Sequence, residues 1–282
     1  MVRDPSRTEP LLVLFEEQGL IAILTLNRAA KRNALSRALI DTLSDAFSRL
    51  ALAPAIRAVV LTGVGSVFCS GMDLKEAAES INRGEPEAGL ADVADLQAYG
   101  DLIDQIHKFP RPVVAAVQGD ALAGGAGLAL ACDFVVMASE AKLGYPEVKR
   151  GIVASVVMHD LVRLVGDRRA RQLLLTGNPV NAATAHQWGL VNEIAASNAA
   201  LTRAVEMAVS LCECAPQALA TTKQLLDEAT LRPNDLRGAA ATSAALRRSD
   251  EATEGIRAFI EKRTLRWEIT PEQLPHYPKG HE

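Results

Sequence analysis

Gly119-Asp120-Ala121-Leu122-Ala123-Gly124-Gly125-Ala126-Gly127 follows directly on the apolar run 113–117 (VVAAV) and carries four glycines in nine residues. A short apolar run closed by glycines reads as a buried strand that turns into a helix opening at 124–131. A second unit of the same design lies upstream. The run 58–62 (AVVLT) leads through Gly63 and Gly65 to Phe68-Cys69-Ser70-Gly71-Met72-Asp73-Leu74. N–H groups at a helix start have no partner within the helix, and the helix dipole favours negative charge beside them. Two such turns meeting at one point would grip an oxyanion, with glycine permitting close backbone approach. Each turn alone is equally well a structural device. Neither continues as a Gly-Lys-Ser/Thr phosphate loop, neither makes a GxGxxG fingerprint, and neither is a GxSxG elbow.

Outward from these units the chain alternates strands and helices. Residues 20–26 (LIAILTL) predict a buried strand closed at Asn27. From Ser36, a suitable N-cap, Leu39, Leu43, Phe47 and Leu50 recur at helical spacing until Pro54. Residues 78–95 are rich in Glu, Gly, Asn and Asp and contain Pro86, which predicts a surface loop with partial helix covering a functional site. A helix resumes over 96–109 and stops at Pro110 and Pro112, and 134–138 (FVVMA) predicts another strand. Beyond residue 150 only helices are expected, at 153–165, 168–175, 182–187, 198–213, 215–228, 235–247 and 250–263. The prolines at 271, 275 and 278 mark an irregular tail. The expected organisation is an α/β core over 1–195 that carries the site, a helical region over 196–267 and the tail 268–282.

With 282 residues, 49% hydrophobic and 23% charged, the composition is that of a globular protein. A net charge of −4 and a pI of about 5.8 give no footprint for nucleic acid. Arg168, Arg169 and Arg171 read as a solvated helix face. No apolar run is long enough to span a membrane, and the first ten residues carry both signs of charge with no signal-peptide core. The expectation is a cytoplasmic protein. Cys69, Cys132, Cys212 and Cys214 make no disulfide framework and read as buried or inert thiols. The five histidines are scattered with no HExxH motif, so no metal or other cofactor is expected.

Six ordered segments resemble the crotonase (enoyl-CoA hydratase/isomerase) superfamily. They are Leu26-Asn27-Arg28…Lys31-Arg32-Asn33-Ala34-Leu35; Phe68 to Glu76; Ala116-Val117-Gln118-Gly119…Gly124-Gly125…Cys132-Asp133; Gly144-Tyr145-Pro146-Glu147-Val148…Gly151; Thr176-Gly177…Ala185…Trp188-Gly189-Leu190-Val191-Asn192; and Ser249-Asp250-Glu251…Glu254-Gly255…Phe259…Lys262-Arg263. The resemblance implies an α/β spiral of ββα turns with a helical C-terminal trimerisation region, in homotrimers or hexamers made of two trimers. It implies a coenzyme A thioester as substrate, its carbonyl held between the backbone N–H groups of Met72 and Gly124. Ser70, Gly71, Asp73, Leu74, Leu122, Ala123 and Pro146 would be further substrate-binding residues. Lys31, Arg32, Ala34 and Leu35 lie where relatives bind the adenine and phosphate end, and Lys262 and Trp267 are further candidates there.

Glu147 matches the position of a catalytic glutamate of the family, a general acid/base for the acyl carbons beside the thioester. Well-studied hydratases carry a second glutamate three positions after the oxyanion glycine, and here that position is Gly127. One carboxylate suits proton transfer between C2 and C4 of an enolate better than water addition. The expectation is an acyl-CoA lyase or isomerase, as a double-bond isomerase, a specialised hydratase or another enolate enzyme rather than a generic 2-enoyl-CoA hydratase. The alternatives are a thioester hydrolase or decarboxylase on the same scaffold, or a non-catalytic acyl-CoA-binding protein. Asp120 either supplies a second acid or bonds its local backbone. Ser155 and His159, one helical turn apart, either approach the acyl pocket or cap and pack a helix.

Overall fold

The computed structural model describes residues 11–82, 87–212, 214, 216–230, 244, 247–248 and 250–264. The chain enters as an antiparallel pair, β1 (Val13–Gln18) and β2 (Ile21–Leu26), followed by helix α1 (Arg37–Ala51). Three ββα units follow. The first is β3 (Ala58–Gly63), β4 (Val67–Cys69) and the helices α2 (Leu74–Asn82) and α3 (Glu87–His107). The second is β5 (Val113–Val117), β6 (Asp120–Leu122) and α4 (Gly124–Leu130). The third is β7 (Phe134–Ala138), β8 (Lys142–Gly144), a 3-10 turn over Pro146–Arg150, and α5 (Ser155–Thr176). In each unit the first strand joins a six-stranded sheet of order β1-β2-β3-β5-β7-β10. The second strand joins a four-stranded sheet of order β4-β6-β8-β9. The chain thus winds between two sheets, the expected spiral of ββα turns. The central strands β3 and β5 are buried along their whole length, which is why they read as unbroken apolar runs rather than alternating ones.

The Ser36 N-cap holds as expected, its Oγ accepting from Leu39 N at 3.2 Å. Leu39, Leu43, Phe47 and Leu50 all face the core, where the Phe47 ring meets Phe109 edge-on with centroids 5.3 Å apart. After α5 come β9 (Val180–Asn181), α6 (Ala182–Gln187), β10 (Glu193–Ala195), α7 (Ala200–Cys212), α8 (Pro216–Thr230) and α9 (Asp250–Glu261). Helix α7 lies on β3, β5 and β7. Its buried residues Ala200, Ala204 and Ala208 repeat every four positions and let the helix approach the sheet closely.

Several expectations need correction. Strands do not stop at residue 150: β10 pairs in parallel with β7 and β9 antiparallel with β8. At three and two residues both are too short to carry a period. Strand β1 was also illegible, since five of its six residues are exposed and no alternation survives. Within segment 78–95, expected as a surface loop with partial helix, the described residues are helical throughout, α2 running to Asn82 and α3 starting at Glu87, while 83–86 lie outside the described residues. Gly89 costs that helix about 1 kcal/mol relative to alanine, and packing of α3 against α1 and α2 offsets it. The helices expected at 153–165 and 168–175 run as one element, α5, broken at Gly166 with φ 73° and ψ 167°. Most of the helix expected over 235–247, Trp267 and the tail lie outside the described residues. Cys69 and Cys132 are buried, whereas Cys214 is exposed. No helix among the described residues is long and apolar enough to cross a membrane.

Candidate active site

The two glycine turns meet. Strands β4 and β6 pair side by side, so the turns leaving them emerge at the same edge of the small sheet. A Cβ added to Gly71 would lie 2.6 Å from Ala123 Cβ and 3.0 Å from Gly124 N. The first turn is also tied to the 29–35 loop through a parallel bridge between Leu35 and Met72, in which Leu35 N donates to Gly71 O at 2.8 Å and Asp73 N to Leu35 O at 3.0 Å. That pattern leaves the intervening Met72 N–H outside the bridge. In the second turn Ala123 holds φ 55° and ψ −131° and donates to Gly144 O at 2.8 Å. A non-glycine residue in this region is strained, and such strain persists where the surroundings over-determine it. Gly124, the first residue of α4, presents an N–H that the helix cannot satisfy.

Both turns open onto a cavity of about 590 Å³. Of the residues expected at the site, Lys31, Arg32, Ala34, Ser70, Met72, Asp73, Leu74, Leu122, Ala123, Gly124, Pro146, Glu147 and Lys262 line it. Leu35 and Gly71 do not. Leu35 is buried beneath the first turn, and Gly71 faces the second, so both hold the turns rather than the cavity wall. Ser155 lines the cavity at the start of α5, whereas His159 points outward and is exposed. Asp120 supplies no acid to the site: its Oδ1 accepts from Lys142 N at 2.9 Å and ties β6 to β8. Among the described residues no cluster of His, Cys, Asp or Glu has the makings of a metal site.

Among the described residues two carboxylates line the cavity, and they differ in how they are held. Asp73 pairs with Arg28 Nη2 at 3.0 Å and accepts from Lys75 N at 3.1 Å. Glu147 sits in the 3-10 turn with its Oε2 sealed from solvent and without a hydrogen-bond partner among the described residues. Burial is the main cause that pushes its pKa up from 4.5 to about 7. A backbone hydrogen bond and the Arg150 charge oppose that shift. If Glu147 acts as a base, kcat/KM should climb as pH rises through about 7 and level off above it. Folding stability runs the other way. A carboxyl whose pKa is higher in the folded chain stabilises fully below 4.5 and loses that contribution as pH rises through about 7. A pH–rate profile alongside thermal melts at pH 5 and pH 8 checks both signs.

Side chains with no role assigned from the sequence complete the site, Arg28, Asn33 and Phe259 from within the quoted motifs and Tyr99, Arg150 and Val157 from outside them. Arg28 Nη1 bonds Ala34 O while Nη2 holds Asp73, clamping the 29–35 loop to the first turn. Asn33, fully buried with φ 52°, accepts from Arg28 N at 2.8 Å and donates to Val67 O at 2.8 Å. Asn tolerates left-handed backbone better than most residues, the one local signal for this role. Tyr99 on α3 donates to Gly124 O at 2.5 Å. A Cβ on Gly127 would lie 2.2 Å from Val157 Cγ1 and 2.5 Å from Tyr99 OH. The space beside Gly127, where a second acidic side chain would start, is therefore filled by a tyrosine and a valine. At another wall Arg150 stacks on Phe259, 4.8 Å from the ring centroid. Burial holds the Arg150 guanidinium below its ordinary range, Glu147 opposes that, and nearby Arg32 adds to it.

The family model for enoyl-CoA hydratase/isomerase matches residues 16–270. A protein of Thermus thermophilus provisionally named enoyl-CoA hydratase is 43% identical over 256 residues, covering 89% of this chain and 98% of that protein. The 2,3-dehydroadipyl-CoA hydratase of Escherichia coli is 34% identical over 256 residues, covering 89% and 96%. A crystal structure of an enoyl-CoA hydratase from Mycobacterium avium superposes with a TM-score of 0.78 at 32% identity, covering 92% of this chain and all of that one. The spiral, the paired turns and these likenesses agree: this chain belongs to the enoyl-CoA hydratase/isomerase family.

Proposed function

We propose that this protein moves a proton between the acyl carbons of an enoyl-CoA thioester, interconverting 3-enoyl and 2-enoyl forms. The N–H groups of Met72 and Gly124 hold the thioester oxygen as it gains charge. Glu147 takes a proton from C2 and returns it at C4. Lys31, Arg32 and Lys262 offer positive charge to the phosphates of coenzyme A at the cavity mouth. The observation that carries this reading is the inequality of the two lining carboxylates. Asp73 is neutralised by Arg28, and Glu147, with an unbonded oxygen and a pKa pushed up to about 7, is left to exchange protons near neutrality. Tyr99 and Val157 occupy the place from which a second acid would hold a water, which favours isomerisation over hydration.

Hydration is the second reading, and the names of the relatives favour it. The absorbance of the conjugated enoyl thioester separates the two. Isomerisation of a 3-enoyl-CoA creates the band, whereas hydration of crotonyl-CoA bleaches it. The expected result is faster appearance than bleaching at matched concentration. Efficient bleaching with no appearance would replace the first reading by the second. Release of free thiol would replace both by thioester hydrolysis.

A further inference from the structure

The cavity continues beyond the reaction centre, and at its far end sits a buried cation. Helix α3 sets the scale. Tyr99, bonded to Gly124 O, marks the level of the oxyanion turns. Leu96 lines the cavity one turn away, and Asp92 lies a further turn along the same face. At a rise of 1.5 Å per residue, Asp92 is about 10 Å from Tyr99. There Arg247 Nη1 faces Asp92 Oδ1 at 3.8 Å, with Arg247 7% exposed and Asp92 fully buried. Helix α9 gives the direction. Phe259, stacked under Arg150, lies in its C-terminal turn and the cavity-lining Lys262 follows its last residue, whereas Arg247 precedes its first residue, Asp250. The guanidinium is thus at the opposite end of α9 from the mouth that would take the phosphates.

This pair is an unusual thing to bury. A separation of 3.8 Å is too long for a hydrogen bond, and neither Asp92 oxygen has a hydrogen-bond partner among the described residues. The neighbouring Asp95 is shared with Arg37 at 3.3 Å. Arginine carries five donors in a rigid fork. Here the guanidinium lines the cavity with one ion-pair partner, Asp92, among the described residues. An all-alkyl acyl tail would leave those donors dry and unbonded, which is costly for a buried charged group.

We propose that Arg247 is a specificity residue, and that the acyl chain this cavity accepts carries an acceptor oxygen, carboxylate or hydroxyl, at its distal end. The proposal rests on the reading of the cavity as an acyl-CoA site. Asp92, behind the guanidinium, orients the fork and balances its charge, while Leu96 and Leu74 line the cavity wall along the way.

The test measures binding rather than turnover. Hexanoyl-, octanoyl- and decanoyl-CoA, all saturated and unreactive, are titrated calorimetrically against their ω-hydroxy and ω-carboxy counterparts. The expected result is a preference of about tenfold or more for an oxygenated chain at one length, the value of one charge-assisted hydrogen bond. Preference for the ω-carboxy series assigns an anionic tail, and preference for the ω-hydroxy series a neutral one. The double variant Arg247→Met/Asp92→Asn removes both charges together and should abolish the preference while retaining or improving affinity for the alkyl chain. Arg247→Lys, which keeps the charge and loses the fork, covers the case in which the double variant does not fold, and should lower the preference several-fold. Equal affinity for alkyl and oxygenated chains at every length overturns the proposal, as does a preference that survives both variants. Enoyl-CoA turnover is assayed separately. Its absence with the binding preference intact removes the catalytic reading and leaves the subsite standing.

Discussion

Glu147→Gln should cut turnover by about a hundredfold or more while acyl-CoA affinity stays within a few-fold, as expected when a general acid/base is lost and the binding surface is kept. The change is nearly isosteric, so the cavity wall is preserved and the loss falls on kcat rather than KM. A second signature separates chemistry from damage. Burial holds the Glu147 carboxyl at about 7, so the wild-type protein carries at pH 8 a buried negative charge whose Oε2 has no hydrogen-bond partner among the described residues. The glutamine variant has no such charge. It should melt no lower than wild type at pH 8, and the fall in stability with rising pH attributed to Glu147 should disappear. Steady-state kinetics with a 3-enoyl-CoA and melts at two pH values read both. Near-wild-type turnover in the variant removes Glu147 from the mechanism.

Gly71→Ala should be as damaging by another route. Gly71 holds φ +89°, where an L side chain is strained. Its new Cβ would lie 2.6 Å from Ala123 Cβ, 3.0 Å from Gly124 N and 3.1 Å from Leu122 O. Two of those three neighbours are backbone, so relief requires the turns to separate. Separation moves the Met72 N–H away from that of Gly124, and losing one oxyanion donor typically costs about 2.7–4 kcal/mol, a factor of about 10² to 10³ in kcat. Stability should fall as well, by about 1–3 kcal/mol for the forced packing. Gly19→Ala is the control. That residue has φ +62° with nothing within 4 Å of the added carbon, so it carries the backbone strain without touching the turns. It should lower the melting temperature and leave kcat unchanged. If Gly71→Ala also retains kcat, the paired-amide reading fails.

Much of this was legible along the chain. The strands over 113–117 and 134–138 coincide with β5 and β7 because both are buried on two faces, and a continuous apolar run bounded by turn residues is a local signal. The two glycine turns were legible for a similar reason: close backbone approach excludes side chains, and the exclusion is written as glycine. What failed was long-range. Strands β9 and β10 exist because β8 and β7 offer edges to pair with, and no residue in them announces it. Helix α3 extends to Glu87 through a polar stretch because α1 and α2 lie alongside it. Asp120 and Leu35 sit within the right motifs, yet they point into the sheet and core rather than the cavity.

The amino-acid order alone determined the family-like succession of turns and pointed to the candidate backbone donors and the candidate acid, since each depends on short segments with steep local constraints. Only the tertiary structure decided which carboxylate keeps an oxygen without a hydrogen-bond partner among the described residues, that Tyr99 and Val157 occupy the space beside Gly127, and that Arg247 lines the cavity against Asp92. These facts join residues between about 30 and 160 positions apart in sequence, and burial, charge pairing and excluded volume act through space and leave no mark on neighbours in the chain.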